Sequence, residues 1–534
     1  MSSAAAPLPV LEARARNTLL ALWWARRADH VASGEVATPR LVWAISICLA
    51  VVASAWSLAT GSMALYGDAR AHLNVARHVT DGITPGLAQL GSVWLPLPHL
   101  ALAPLVAIDP LWHSAVAGAI IGGVGFIYSA VRLYDLTYYW TGRRSCALAT
   151  FVLYVGCLNL LYIQTTALTE PVLLAFLVGA TYHFARWLRE MSHRELAMAA
   201  VLAMGASMSR YDGWVLIPVG LGVIGLWTHI HDRRSSASEA NVVIFGVIAG
   251  YGIALWFLYN LVIFGDVLFF IHSGASAQAQ QVSLAKSGML LTAGNAVASL
   301  LTYGWAVIDV VGAPLLGLGA LGAAVMLVHS ARDRWANMAL LTILVAPVAF
   351  NVLALYTGQS TMRVPQVAPY QMWNIRYGLV ALPLLAFTAG TLARPWPPAL
   401  AAPFLALAIP FAAATALTTT PITIIDGRSG ISGVPRVGAI SAYLGSHYHG
   451  GRILADDTDT SPLLFGSGLN LREFVTVGFK PYYKDALADP AASVAWVVAV
   501  PGDDVDRDMA AHPERFAQFT LVRREATISI YRRF

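Results

Sequence analysis

Apolar residues make up 57% of this 534-residue chain and charged residues only 12%, with a formal net charge of +5. Several stretches come near the twenty apolar residues that cross about 30 Å of hydrocarbon, which excludes a soluble globular chain and reads as a polytopic membrane protein. The mild positive charge suits anionic lipid, but it forms no basic stripe and gives no support to a nucleic-acid partner.

Residues 1–40 carry five arginines and no apolar core of signal-peptide type, so they read as a retained cytoplasmic leader. Eleven spans are expected, near 41–61, 112–132, 145–165, 171–188, 195–209, 213–229, 241–264, 308–329, 336–355, 377–394 and 399–417. With the N-terminus inside, an odd count puts the C-terminal segment outside. Sixteen basic residues then fall in cytoplasmic parts and six in outer loops, as the positive-inside bias expects. The six are Arg70, Arg77, Arg210, Lys286, Arg363 and Arg376. Cys48, Cys146 and Cys157 fall in or beside spans and read as small apolar packing residues.

The first outer loop covers residues 62–111. Leu65, Ala69, Leu73 and Ala76 have helical spacing against polar Asp68, Arg70, His72 and Asn74, which predicts a short amphipathic helix along the interface. Trp94-Leu95-Pro96-Leu97-Pro98-His99 opens an apolar run to Ile108 that is short for a span, so it is assigned as re-entrant or interfacial. Later outer turns carry Thr169-Glu170-Pro171 and Ser209-Arg210-Tyr211-Asp212-Gly213. The loop from Gly265 to about 307 carries His272 and Lys286, with a second surface helix expected in its latter half, and the loop from Gly358 ends in Trp373-Asn374-Ile375-Arg376-Tyr377. All of these face the side of Asp68. From residue 418 to 534 the composition turns polar, with β-rich runs at 452–455, 493–500, 519–522 and 527–531 and helices at 437–444 and 510–517. This predicts a small soluble α/β domain.

Asp68 is read as the reactive centre because a loop of some fifty residues is long for a connection and too apolar to be disordered. Glu170 fits two readings: an acid complementing a helix dipole before a Pro at N1, or a second carboxylate in the cavity of Asp68 that takes a ligand hydroxyl or orients Arg210. Arg210 and Asp212 fit a local ion pair, with Tyr211 as an interface anchor, and Arg376 with Tyr377 fits a snorkelling anchor. Yet a cation at a helix N-terminus opposes the dipole on the side the positive-inside bias disfavours, and a bound phosphate would explain both. His72, His78, His99 and His272 lack any recognised ligand spacing, so structural roles are expected and no metal is assigned. Asp456, Asp457 and Asp459 read as a solvated turn.

Gly67-Asp68-Ala69 after the first span, Leu168-Thr169-Glu170-Pro171 after the third, Arg376-Tyr377-Gly378 at a late span and an outer C-terminal domain together resemble the GT-C superfamily of integral-membrane glycosyltransferases. The similarity is to the protein-mannosyltransferase-like and aminoarabinose-transferase-like branch, over roughly residues 41–395. It implies an all-α polytopic membrane domain of about eleven transmembrane helices at 41–417, with an extracytoplasmic α/β domain behind it. It also implies a glycosyltransferase of the plasma (inner) membrane that takes a polyprenyl-phosphate sugar at the outer face and serves a lipid, glycan or protein acceptor. Asp68 matches the acid that takes the acceptor proton, Glu170 a position that is often Asp, and Arg376 an arginine near the donor phosphate. Arg70, His72, Arg210, Tyr211, Asp212, His272, Arg363 and Tyr377 are expected to complete the substrate site. Val93-Trp94-Leu95-Pro96 stands where the branch often has an acid before a proline pair, which leaves assistance by a divalent metal unsupported. A transporter or flippase, or a non-catalytic envelope assembly protein, is the rival reading; the former predicts charged or broken mid-membrane helices and a pseudo-repeat, and the sequence carries neither.

Overall fold

The structure, a computed structural model, describes residues 38–394 and 420–534, apart from 232–234, 275, 287, 289, 329–332, 369–370, 431–436, 479 and 526. The expected span at 399–417 and nearly all of the leader lie outside the described residues.

Helix α1 (Arg40–Ala59) is apolar and long enough to cross a bilayer. The first loop then contributes α2 (Gly67–His78) and α3 (Leu97–Val106). After them α4 (Val116–Thr141) runs past the expected end at residue 132, and Arg132 is paired within it to Asp135 rather than free in a loop. The third expected span, 145–165, is broken into α5 (Arg144–Val155) and α6 (Leu158–Ile163). Helices α7 (Glu170–Glu190), α8 (His193–Ser209), α9 (Leu216–His231) and α10 (Ser235–Phe264) follow as an antiparallel series.

The expected span at 308–329 straddles a corner. Helices α11 (Ala296–Val311) and α12 (Ala313–Val328) meet at 109° across Gly312. Gly312 takes φ +89°, a conformation that favours glycine, and Pro314 follows with no N–H to continue the first helix. The surface helix expected late in that loop is therefore the first arm of a bent pair. Helix α13 (Arg334–Tyr356) crosses next, and a 3-10 turn over Ile375–Ala381 leads into α14 (Leu382–Thr391). Among the described residues six helices are long and apolar enough to span, or seven if the bent pair counts as one. The expected eleven is not confirmed: among the described residues α5, α8 and α14 are short and the third span is interrupted, and the last expected span lies outside them.

The unwound stretch at residues 164–169, between α6 and α7, packs closely on α4. A Cβ on Gly122 of α4 would stand 2.3 Å from the Gln164 carbonyl oxygen, one on Gly118 2.5 Å from the Ala167 nitrogen, and one on Gly125 2.6 Å from the Pro171 carbonyl oxygen. This glycine stripe lets unwound backbone lie against α4, the close approach that small residues permit between membrane helices. Glu170 is thereby delivered at the head of α7.

The C-terminal segment is α/β. Helices α15 (Ile422–Ser429) and α16 (Gly438–His447) precede β1 (Ile453–Leu454), α17 (Asp457–Ser467), β2 (Phe474–Val475), β3 (Trp496–Ala499), α18 (Asp504–Ala511), β4 (Phe519–Glu525) and β5 (Ile528–Arg533). Strand order is β2-β1-β3-β5-β4, with β1 parallel to both neighbours and β5 antiparallel to both of its own. The expected solvated turn at Asp456 and Asp457 is instead the buried start of α17. Asp456 accepts a hydrogen bond from Thr458 N at 3.0 Å and another from Asp504 N at 3.2 Å, the work of a helix cap that also ties two loops together. Burial, with Asp456 beside it, pushes the Asp457 carboxyl up to about 6.

Helix α2 does not lie free along the interface. Ala69, Leu73 and Ala76 are buried as expected, but His72, Asn74, Arg77 and His78 are buried too. One face packs on the membrane helices and the other on the C-terminal segment: Asn74 Nδ2 donates to the Ser461 carbonyl at 3.1 Å, Arg70 Nη1 to the Pro462 carbonyl at 3.2 Å, and Asp81 accepts from Leu471 N at 3.2 Å. Arg77 closes the loop on itself, with Asp81 at 3.1 Å, Asp109 at 2.6 Å and the Val106 carbonyl at 2.6 Å.

Gly122→Ala is expected to force the 164–169 backbone away from α4 at a cost of about 1–3 kcal/mol. Thermal unfolding of the purified protein should show a clear drop for this variant and none for Gly222→Ala, where a new Cβ meets open space.

Candidate active site

Three separate stretches converge on one guanidinium. Arg376, in the 3-10 turn before α14, is 2% exposed; it donates through Nη2 to Asp68 Oδ2 and through Nε to Glu170 Oε1 at 3.0 Å. Arg210, leaving the end of α8, donates through Nη1 to the same Glu170 oxygen at 3.1 Å and to Thr169 Oγ1 at 3.2 Å, and through Nε to Asp212 Oδ2 at 3.0 Å. Asn351 of α13 anchors Asp212 from behind, donating at 2.7 Å. Two arginines thus face three carboxylates, Asp68, Glu170 and Asp212. Charged groups so deeply buried are tolerated only when paired and hydrogen-bonded in this way.

Aromatic rings hold the cations in plane. The Tyr377 ring centroid lies 4.5 Å from the Arg210 guanidinium and 5.2 Å from that of Arg376, which also stands 4.8 Å from the Tyr66 ring. Tyr66 is itself fixed by donating its hydroxyl to the Thr423 carbonyl at 2.7 Å. A close approach seats this turn: a Cβ on Gly378 would stand 2.5 Å from the Ala306 carbonyl oxygen, so no larger residue fits between the turn and α11.

The pairing is incomplete. Arg376 Nη1 and Glu170 Oε2 are both buried, and among the described residues neither has a hydrogen-bond partner. Buried polar atoms are ordinarily hydrogen-bonded, so both remain available to a further polar partner. Asp68 is the open member of the cluster, its side chain 34% exposed. One oxygen is held by Arg376, and Oδ1 makes no hydrogen bond to the described residues.

His72 lies near both arginines, which adds to burial in lowering its pKa to about 3; its Nδ1 is 2.8 Å from His99 Nε2. The other expected site residues lie outside the cluster. Arg70 turns away to the Ala64 and Pro462 carbonyls. Tyr211 donates to the Val93 carbonyl at 2.9 Å and stacks on Phe270, so it pins the first loop to the helices. His272 makes an exposed pair with Asp266 at 2.6 Å. Arg363 pairs through its backbone with Trp373 and lines a solvent-open cleft of about 370 Å³ with Leu290, Thr302 and Val367; that cleft is walled by residues other than those of the carboxylate and arginine cluster. Among the described residues no group of three or more His, Cys, Asp and Glu side chains is placed to hold a metal ion.

Three participants were missed from sequence. Asn351 had a visible signal, an amide inside an apolar span, and intramembrane polar residues are seldom idle. Thr169 and Tyr66 had none, since their partners are fixed only by the fold.

No family model matches the chain, and no curated protein matches its sequence. Among solved structures, ArnT from Cupriavidus metallidurans bound to undecaprenyl phosphate is similar at 13% identity with a TM-score of 0.56, over 93% of this chain and 98% of that one. The apo state of the same protein gives 14% identity and 0.53 over the same shares. An oligosaccharyltransferase from Archaeoglobus fulgidus in its apo form matches at 12% identity and 0.48, over 86% of this chain and 69% of that one. The likeness to ArnT is one of fold: the chain is a multi-pass helical membrane protein that shares the overall architecture of that structure and carries a small C-terminal sheet.

Glu170→Gln keeps the shape of the side chain and removes the charge between two buried guanidinium groups, and is expected to cost about 3–5 kcal/mol. Thermal unfolding should show that loss, and Glu170→Gln with Arg210→Gln should recover part of it, since residues in contact are not additive. Because the folded pKa of His72 lies below the ordinary imidazole value of about 6.5, the unfolded chain takes up the proton first. Stability is therefore expected to fall as pH drops from about 6.5 toward about 3, with a shallower slope in His72→Gln.

Proposed function

We propose that the protein is a glycosyltransferase that moves a sugar from a polyprenyl-phosphate-linked donor to an acceptor hydroxyl at the outer face of the plasma membrane, with inversion. The observation that carries this reading is the cluster of Asp68, Arg376, Glu170 and Arg210, in which an open carboxylate stands against buried arginines and Arg376 still has an unpaired donor. That donor fits a phosphate oxygen, and guanidinium groups suit phosphate in geometry as well as charge. The fold likeness to ArnT supports the reading further, since that protein was solved with undecaprenyl phosphate bound.

In this mechanism the donor phosphate takes up Arg376 Nη1, and Asp68 accepts the proton of the acceptor hydroxyl as its oxygen attacks the anomeric carbon. The new carbon–oxygen bond forms as the bond to the phosphate oxygen breaks. The bonding pair leaves with the polyprenyl phosphate, where Arg376 and Arg210 meet the added negative charge. Glu170 and Asp212 hold the two arginines in place, Asn351 holds Asp212, and the sugar configuration inverts because there is one displacement. The apolar α3 and the neighbouring membrane helices leave the prenyl tail in lipid. The basic residues grouped at the far end of α4, α7 and α8, among them Arg143, Arg144, Arg186, Arg189 and Arg194, support a cytoplasmic position for that end and an outer one for the cluster.

The purified protein, incubated with radiolabelled polyprenyl-phosphate sugars and envelope extract as acceptor source, is expected to release polyprenyl phosphate and transfer label. Asp68→Asn should lower turnover by about 10²–10⁴, the worth of a general base, while binding donor nearly as tightly. Near-normal turnover in that variant would remove Asp68 from the chemistry.

A further inference from the structure

Asp68 and His72 stand four residues apart on α2, so their side chains share one face of the helix a turn apart. Both imidazoles of the His72–His99 pair are buried, at 4% and 0% exposure. The Trp94 ring packs on His72 with centroids 4.3 Å apart, and at 37% exposure it is the open side of the group. A buried histidine pair between two helices would ordinarily be no more than satisfied packing. Its proton arrangement argues for something else.

With burial and two nearby guanidinium groups, the His72 ring is neutral at working pH. Two neutral imidazoles joined by one hydrogen bond hold a single proton on that line. His99 Nδ1 makes no hydrogen bond to the described residues, and the Leu95 carbonyl, four residues back, favours a proton on this ring; with Nε2 facing His72, that proton is assigned to Nδ1. His99 Nε2 then accepts, His72 Nδ1 donates, and His72 Nε2 keeps only its lone pair. No described residue donates to that nitrogen. The face of α2 that carries Asp68 therefore also presents a fixed acceptor, next to an exposed indole.

We propose that His72 Nε2 and the Trp94 ring form the sugar subsite: the indole stacks on the apolar face of the donor sugar, and His72 accepts a hydrogen bond from one of its hydroxyl groups. This rests on the reading of the site as a transferase of polyprenyl-phosphate sugars. His99 is a positioning residue that fixes the His72 tautomer. A sugar lacking the matching hydroxyl leaves a desolvated acceptor unpaired, the situation in which a binding site discriminates most strongly.

The test uses the full chain in lipid nanodiscs and two titrations, one with polyprenyl phosphate and one with the tightest of a panel of hexosyl and pentosyl polyprenyl phosphates. His72→Asn reaches only the Nδ1 position and should weaken the sugar-bearing lipid about tenfold, the worth of one hydrogen bond, with the bare lipid unchanged. His72→Gln places an amide oxygen near the Nε2 position and should stay within about twofold of wild type. Trp94→Ala, at an exposed side chain, should again weaken only the sugar-bearing lipid, and it carries the comparison if His72→Asn unfolds. Equal losses for both lipids, or no loss in either variant, overturn the sugar subsite while leaving the transferase reading in place. A wild-type protein that binds neither lipid overturns both.

Discussion

The structure depends on placing a permanently charged guanidinium where water is scarce. Arg376 is 2% exposed and cannot lose its proton to escape the cost of burial, so carboxylates must come to it. Asp68 comes from α2, Glu170 from the head of α7, and Arg210 with Asp212 adds the end of α8. Only α7 and α8 are consecutive in the chain, so the ion pairs act as the vertex at which the first loop, two helix ends and the turn before α14 meet. A charge so held has a fixed direction, and catalysis gains most from charges that need not reorganise when the transition state forms.

The same requirement explains the unusual local structure nearby. The chain between α6 and α7 unwinds so that Glu170 starts a helix at the depth of Arg376, and α4 supplies glycines against which that backbone can lie. Gly378 does the same for the turn carrying Arg376. Helix α2, which brings Asp68, is clamped from the opposite side by Ser461, Pro462 and Leu471 of the C-terminal segment. The sheet-bearing segment is thus a buttress for the helix that carries the open carboxylate, and motion between the two would shift Asp68 relative to its arginine.

Much of this was legible before any coordinates. Apolar length marked the spans, and acids and arginines gathered at one set of helix ends marked the face on which Asp68, Glu170, Arg210 and Arg376 meet. What was misread divides by physical cause. The corner at Gly312 and Pro314 had its signal in plain view, a glycine and a proline two residues apart, but hydropathy averages over such breakers. Periodicity gave α2 an apolar face and took the polar face for a solvated one; Asn74 and Arg77 are buried because partners hundreds of residues or a loop away cover them, and no local pattern records that. Asp456 and Asp457 read as a turn for the same reason, since a cap and a solvated aspartate look alike until the helix behind them is seen.

The basic residues that the proposed orientation puts on the outer side sharpen the point. An arginine there runs against the charge bias of membrane insertion, which invites a search for what each one holds. Arg77 holds the first loop closed through Asp81, Asp109 and the Val106 carbonyl, with its guanidinium 4.9 Å from the Trp112 ring. Arg70 holds the C-terminal segment, and Arg210 is consumed by Glu170, Thr169 and Asp212. Arg376 is the most deeply buried of the four, and among the described residues its buried Nη1 meets no hydrogen-bond acceptor. Under the proposed function, that nitrogen is the donor available to the phosphate of the lipid-linked sugar.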